Sequence, residues 1–237
     1  MHFEKVFYPT EKPNLYHLAP VPMFLKEFED VEFDQELYLW GLENLSETQK
    51  RMGQELPGKT DEERAKHFTE HLKPEFWIED EEVPIGSRFY VQPNNFLEIE
   101  DWRIQDLRNR IIKSFEEYTV SLGLSPKNVT IPESWIQYYD PHAGRGHNQH
   151  NHTRWQVSER KEISVSGGYY LSDGEPSKDH PYSGAFCFHM RGMSHFIRPK
   201  RGMLMMWPSD IVHSVKPFYG KKHRCVVNFN ILAENEL

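Results

Sequence analysis

Apolar positions recur at helical spacing in the first half of the chain and at strand spacing in the second. Between Glu100 and Leu122, the residues Ile104, Leu107, Ile111, Ile112, Phe115 and Tyr118 recur at spacings near three and four. That spacing predicts one amphipathic helix with a single apolar stripe packed on the back of a sheet. Gly123 is placed to close it as a C-terminal cap. Residues 34–52 hold Leu37, Leu39, Trp40, Leu42 and Leu45 with few breakers, which predicts another helix. A short one is expected after Thr60, an N-cap whose capping box Glu63 would complete. Residues 1–31, with prolines at 9, 13, 20 and 22, read as an extended lead-in with an edge strand near Val21–Phe28.

After Pro126 short β-type runs alternate with turns rich in Gly, Pro, Asp and Ser. The predicted strands are Ser134–Tyr139, Glu162–Leu171, Gly184–His189, Met203–Trp207, Ile211–Val215 and Arg224–Leu232. Strands after a helical section predict an α+β fold, with a double-sheet jelly roll as the all-β core. Residues 1–99 are then an N-terminal extension, mixed and partly helical, packed on the core. Residues 100–237 are the core with its leading helix. Met203, Met205 and Met206 read as strand core.

The 237 residues carry a formal charge of −8, which argues against nucleic acid and anionic membrane as partners. No apolar run is long enough to span a bilayer, and Met1–Lys5 opens no signal-peptide pattern. Cys187 and Cys225 are the two cysteines. They form no metal-binding pair and lie in apolar runs, so they read as buried thiols of a reducing compartment. A cytoplasmic protein is expected, and the sequons at Asn44, Asn128 and Asn151 are read as chance matches.

The candidate chemistry lies between Glu133 and Asn230. The run His147-Asn148-Gln149-His150-Asn151-His152 clusters imidazoles, and residues two apart on a strand face the same way. His150 and His152 can therefore enter one cavity, with His213 joining them from a later strand between Ile211 and Val215. His147 is the weakest ligand candidate and reads as a flanking or exposed residue. On the last strand Arg224, Val226, Asn228 and Asn230 share a face. An arginine turned into a barrel needs a partner, and its natural partner is a carboxylate gripped bidentately. Three imidazoles and an inward cation point to a metal that holds an anionic co-substrate. Trp135, Gln137 and Tyr139 alternate on one strand and are placed to line the pocket, with core packing the simpler reading for Trp135. The loop Ser172–Pro181 reads equally as a lid or an ordinary polar turn.

The order of these pieces resembles a known family. A helix ending in Leu122-Gly123 precedes Glu133-Ser134-Trp135 and the histidine pair. Then come Ser166-Gly167-Gly168-Tyr169-Tyr170-Leu171, Ser183-Gly184, Trp207-Pro208-Ser209, His213, and Arg224 with Asn228-Phe229-Asn230. Over roughly residues 100–232 this resembles the 2-oxoglutarate and iron(II)-dependent oxygenases, in the branch found in bacteriophage and marine bacterial genomes. The resemblance implies a double-stranded β-helix (jelly-roll) with iron(II) at its open end, using 2-oxoglutarate and dioxygen to hydroxylate a C–H bond. It implies His150 and His213 as iron ligands and Arg224 as the clamp on the distal carboxylate of 2-oxoglutarate. Tyr170, Ser166 and Asn228 would assist by hydrogen bonds.

The sequence departs from the family's His-x-Asp or His-x-Glu pattern at His152. His152 as a third ligand is the preferred reading. Water or another anion beside two histidines is a second, and a remote carboxylate, Asp210 or Asp140, is a third. The primary substrate stays open among a protein side chain, a small metabolite, a nucleobase and a lipid-linked sugar. Two other classes compete: a cupin-like three-histidine metal enzyme that does not use 2-oxoglutarate, and a non-catalytic jelly-roll module. Residues 1–99 would shape substrate entry or a homodimer contact.

Overall fold

The computed structural model describes residues 14–18, 21–55, 96–139, 141, 145–152, 162–190 and 192–236. Its strands are β1 (Asn14–Leu18), β2 (Val21–Glu27), β3 (Pro126–Tyr139), β4 (Arg145–His150) and β5 (Glu162–Ser172). They continue with β6 (Phe186–Met190), β7 (Met193–Ile197), β8 (Met203–Pro208), β9 (His213–Phe218) and β10 (Arg224–Asn235). The helices are α1 (Val31–Glu55) and α2 (Trp102–Ser121). Antiparallel pairing makes a major sheet ordered β1-β2-β8-β5-β10-β3 and a minor sheet ordered β4-β9-β6-β7. This is the expected double-stranded β-helix.

Strand alternation gives the major sheet two different faces. Its outer face sends Ile136, Tyr138, Tyr169, Leu204, Cys225, Val227 and Phe229 into one core with Leu37 of α1 and the α2 stripe. Its inner face sends Met23, Leu25, Tyr139, Tyr170, Met203, Met205, Trp207 and Val226 against Phe186, Phe188, Val215 and Phe218 of the minor sheet. Each large side chain so buried contributes about 1.5–3 kcal/mol by removal from water. Cys187 and Cys225 are buried free thiols.

Helix α2 follows from local signals. Asp101 caps it, accepting from the Arg103 N–H, and Ile104, Leu107, Ile111, Phe115 and Tyr118 are its buried stripe. Gly123 adopts a left-handed φ of 72° at its end. On α1, Leu39 turns to solvent at 45% exposed, while Phe33 and Asp34 are buried. The expected helix after Thr60 lies outside the described residues.

Several boundaries differ from the sequence expectation. β2 is not an edge strand, because β1 covers it on one side while β8 pairs on the other. Residues before 100 therefore supply two strands of the core sheet as well as a helix. β3 begins at Pro126, eight residues before Ser134. Its first half is largely exposed and polar, and a register shift opposite Asn230–Leu232 accommodates Pro132 on this edge strand. Gly184 precedes β6 in a turn with φ 63°, and β9 starts at His213 after a turn through Ile211.

Asp34 is 1% exposed behind the major sheet and accepts a 2.7 Å hydrogen bond from the Tyr169 hydroxyl. Burial pushes its carboxyl up to about 7, against the opposing pull of Tyr169, Arg201 and Arg110. An acid whose folded pKa is raised binds its proton more tightly when folded. Its stabilising effect is complete below about pH 4 and is lost as the pH rises through 7. Asp34→Asn should therefore raise stability at pH 8 by about 2 kcal/mol and leave it unchanged at pH 4. Urea unfolding of both proteins across this range checks it.

Candidate metal centre

The minor sheet places two imidazoles together. In the β4–β9 register His150 stands opposite His213, and their rings lie 4.3 Å apart. His152 lies two residues past the end of β4 instead of on one strand with His150. Its backbone N–H bonds the Ser209 carbonyl in the turn after β8, which carries it to the major sheet. Its ring still arrives at the same point, 5.4 Å from His150 and 5.1 Å from His213. One ring nitrogen of each residue lies within 4.8 Å of the other two.

Hydrogen bonds settle which nitrogens are free. His150 Nδ1 lies 2.8 Å from the Asn148 carbonyl and His213 Nδ1 lies 2.9 Å from the Ile211 carbonyl. A carbonyl only accepts, so both Nδ1 atoms carry hydrogen and both Nε2 atoms keep a lone pair. His152 Nδ1 is 2.7 Å from Asn230 Oδ1. Asn230 turns its Nδ2 to Glu133 Oε2 at 2.9 Å, and a carboxylate accepts. Asn230 therefore presents oxygen to His152, whose Nε2 is free as well.

The rings are also held neutral. Burial pushes His152 down to about 4, with His150 adding to the shift against the Asn230 hydrogen bond. Burial and the neighbouring His150 and His152 carry His213 well below its ordinary value, and burial lowers His150. Three neutral imidazoles, each with a free Nε2 and with ring nitrogens within 4.8 Å of one another, are a ligand set for a divalent transition metal. Among the described residues no carboxylate joins them. Asp210 is exposed, and Asp140 lies outside the described residues.

The second element is Arg224, on the inner face of β10 and 2% exposed. Its guanidinium lies 4.5 Å from the Tyr139 ring and 5.1 Å from the Tyr170 ring, and Nη2 reaches the Tyr170 hydroxyl at 3.4 Å. Its Nε and Nη1 are buried without a hydrogen-bond partner. Gly184 leaves room beside it, since a Cβ there would come within 3.4 Å of Arg224 Cδ. A permanently charged group left buried without its anion costs several kcal/mol.

Polar residues join the two elements. His147 lies 5.6 Å from His150 and 6.0 Å from Tyr139, ring to ring, so it stands between the three-imidazole cluster and the tyrosine ring that Arg224 faces. Burial pushes it down to about 3, with His150 and Arg224 adding to the shift. Gln137 donates to His147 Nε2 at 2.7 Å and accepts from Asn228 Nδ2 at 3.2 Å. Trp135 stands 6.1 Å from His152, so Trp135, Gln137 and Tyr139 of β3 each meet a histidine of the run 147–152. Ser166 lies at the His152 end, 3.2 Å from His152 Nδ1 and 2.7 Å from Asn230 Oδ1. The loop Ser172–Pro181 is bound to the β9–β10 connection by Ser177 and Gly174 backbone bonds and by His180 stacking on Tyr219 at 4.2 Å.

Sequence reasoning did not single out Asn230, Glu133 or Trp207 for the site. Asn230 was legible as inward by its spacing from Arg224. Its link to Glu133 depends on the β3–β10 register, which a single sequence does not display. Trp207 is 3% exposed, 5.0 Å from the His213 ring, with its indole N–H unpartnered.

No protein-family model matches the chain, and no curated protein matches it. Solved structures do. A prolyl-4-hydroxylase from Pseudomonas putida superposes with a TM-score of 0.55 at 16% identity, covering 93% of this chain and 95% of its own. SnoK, a non-heme alpha ketoglutarate dependent carbocyclase from nogalamycin biosynthesis, gives 0.54 at 9% identity, covering 90% of this chain and 79% of its own. The shared property is the fold. Both likenesses extend over nine-tenths or more of this chain.

Depressed histidine pKa values have a sign. Unfolded imidazoles take up protons near pH 6.5, while these do so only at lower pH, so stability present above 6.5 is lost on acidification. The metal-free protein should lose about 2 kcal/mol or more between pH 7 and pH 4.5. Excess Co(II) at pH 7 should raise the urea midpoint, and replacing His213 by alanine should remove that gain.

Proposed function

We propose that this protein is an Fe(II)- and 2-oxoglutarate-dependent dioxygenase that hydroxylates a substrate still to be identified. The observation that carries this reading is Arg224: a buried guanidinium with two unpartnered donor nitrogens, facing the Tyr139 ring that also meets His147, the ring neighbour of His150 in the three-imidazole cluster. The donor set fits iron, which imidazole suits, and the orphaned cation fits a carboxylate. 2-Oxoglutarate offers both a 2-oxo acid end to chelate the metal and a distal carboxylate for Arg224. The fold shared with a prolyl-4-hydroxylase and an alpha ketoglutarate dependent carbocyclase supports the same reading.

Bound iron, with 2-oxoglutarate and dioxygen, would supply oxidative decarboxylation to succinate and carbon dioxide coupled to C–H oxidation. The chain's own residues bind and orient. His150, His152 and His213 would hold the metal. Arg224, which faces the Tyr139 and Tyr170 rings, would grip the distal carboxylate, with the Tyr170 hydroxyl as a further donor. Asn228 and Gln137 fix His147 between the two ends. Ser166 supports His152. A cupin-like three-histidine enzyme without 2-oxoglutarate is the second reading, favoured by the all-imidazole ligand set. It leaves Arg224 without a role.

The order of motifs from Glu133 to Asn230 supports placing the chain in the branch common in bacteriophage and marine bacterial genomes. Two buried free thiols support a cytoplasmic site, the host's if a phage encodes the protein. No helix among the described residues is long and apolar enough to cross a membrane. The substrate is assigned to small molecules or protein side chains. Residues 100–237 are taken as the larger part of the oxygenase core, and residues 1–99, which add β1, β2 and α1 to it, as the part that shapes substrate entry or a homodimer contact.

Two measurements on Arg224→Met test the reading. Under anaerobic conditions the wild type with Fe(II) and 2-oxoglutarate should show a weak visible charge-transfer band that needs both additions. Arg224→Met should weaken 2-oxoglutarate binding by about 30-fold or more, as loss of a buried charge partner costs upwards of about 2 kcal/mol. The same variant should be more stable than wild type without 2-oxoglutarate, because an unpaired buried charge is gone. Iron binding without the band in wild type would move the assignment to the cupin-like reading.

A further inference from the structure

Among the described residues no carboxylate joins the three imidazoles, yet one stands a single amide behind them. Glu133 on β3, Asn230 on β10 and Ser166 on β5 are direct neighbours in register across three adjacent strands. Glu133 Oε2 accepts from Asn230 Nδ2 at 2.9 Å. Asn230 Oδ1 then accepts from His152 Nδ1 at 2.7 Å and from the Ser166 hydroxyl at 2.7 Å. Asn230 is 2% exposed. An amide has a donor end and an acceptor end, and the carboxylate decides which faces which way. Glu133 thus forces Asn230 to present oxygen, and that oxygen forces the His152 proton onto Nδ1.

We propose that Glu133 and Asn230 are a positioning pair that makes His152 a metal ligand, an inference that rests on the metal reading above. The pair sets the tautomer and the ring orientation. It also passes negative charge toward the metal: a carboxylate-bound amide is a stronger acceptor, and a histidine whose Nδ1–H is firmly held is a more basic ligand at Nε2. His150 and His213 lack this support, since each is anchored on a backbone carbonyl near its own position. His152, outside any strand, is the ligand that needs a side-chain anchor.

Co(II) affinity by calorimetry and the imidazole 15N shifts of the metal-free protein read the pair without any turnover. The wild type should show His152 in the Nδ1–H form. Asn230→Ala and Glu133→Ala should mix the tautomers and weaken Co(II) binding about 10- to 100-fold, the usual cost of losing such a support. Glu133→Gln, whose carbonyl oxygen still accepts from Asn230, should restore most of the affinity. The double variant Glu133→Gln with Asn230→Asp keeps the hydrogen bonds but moves the negative charge directly onto His152. It should bind Co(II) more tightly than wild type, which a packing role does not predict. Unchanged affinity and tautomer in alanine variants with native circular dichroism, or a double variant no tighter than wild type, would overturn this inference alone. A wild-type protein that does not bind Co(II) would overturn the metal reading with it.

Discussion

A strand paired on both edges cannot shift by one residue without exchanging its two faces, and β10 is held this way between β3 and β5. Its outer residues, Cys225, Val227, Phe229 and Ile231, are buried under the helices. Its inner residues, Arg224, Val226, Asn228 and Asn230, run from the Tyr139 and Tyr170 rings to the link between Glu133 and His152. The wrong register would bury a guanidinium and two amides under the helices and turn four apolar side chains toward the imidazoles. Hydrophobic packing on one face is therefore what keeps the polar row on the other in place. The chemistry of the site depends on a core that never touches it.

Burial treats the two faces of the major sheet differently. Behind it, Asp34 is enclosed and relieves the cost by taking up a proton. In front, Arg224 is enclosed as well, but a guanidinium has no neutral form within reach. One group can adjust its own charge; the other stays charged, with its Nε and Nη1 unpartnered. This difference is why the arginine, and not the aspartate, points to a co-substrate.

Local patterns were readable where burial followed chain periodicity. The α2 stripe and the inward turn of Arg224 are direct consequences of periods near 3.6 and 2. The strand Met193–Ile197 was not readable. It is a short sheet edge whose Met193 is 49% exposed, and its run of one serine and one histidine among apolar residues shows no clear alternation. Leu39 misled because helix propensity and apolarity do not say which side of α1 meets the sheet. At the site, spacing alone brought His150, His152 and His213 to one candidate cluster. The route taken by His152 was hidden, because its anchor points, Ser209 and Asn230, are distant in sequence. Gln137 as the link between His147 and Asn228 was hidden for the same reason.

The three imidazoles do not all belong to one layer. His150 and His213 are minor-sheet residues, while His152 is tethered by its backbone to the turn after β8 and by its ring to β10 of the major sheet. An ion bound to all three would act as a clasp across the open end of the sandwich. Gaping of the two sheets and release of the ion would then be the same motion. Anything that props the mouth apart would loosen the metal, and anything that draws the sheets together would tighten it. The affinity of this centre is thus also a gauge of how far the two layers breathe.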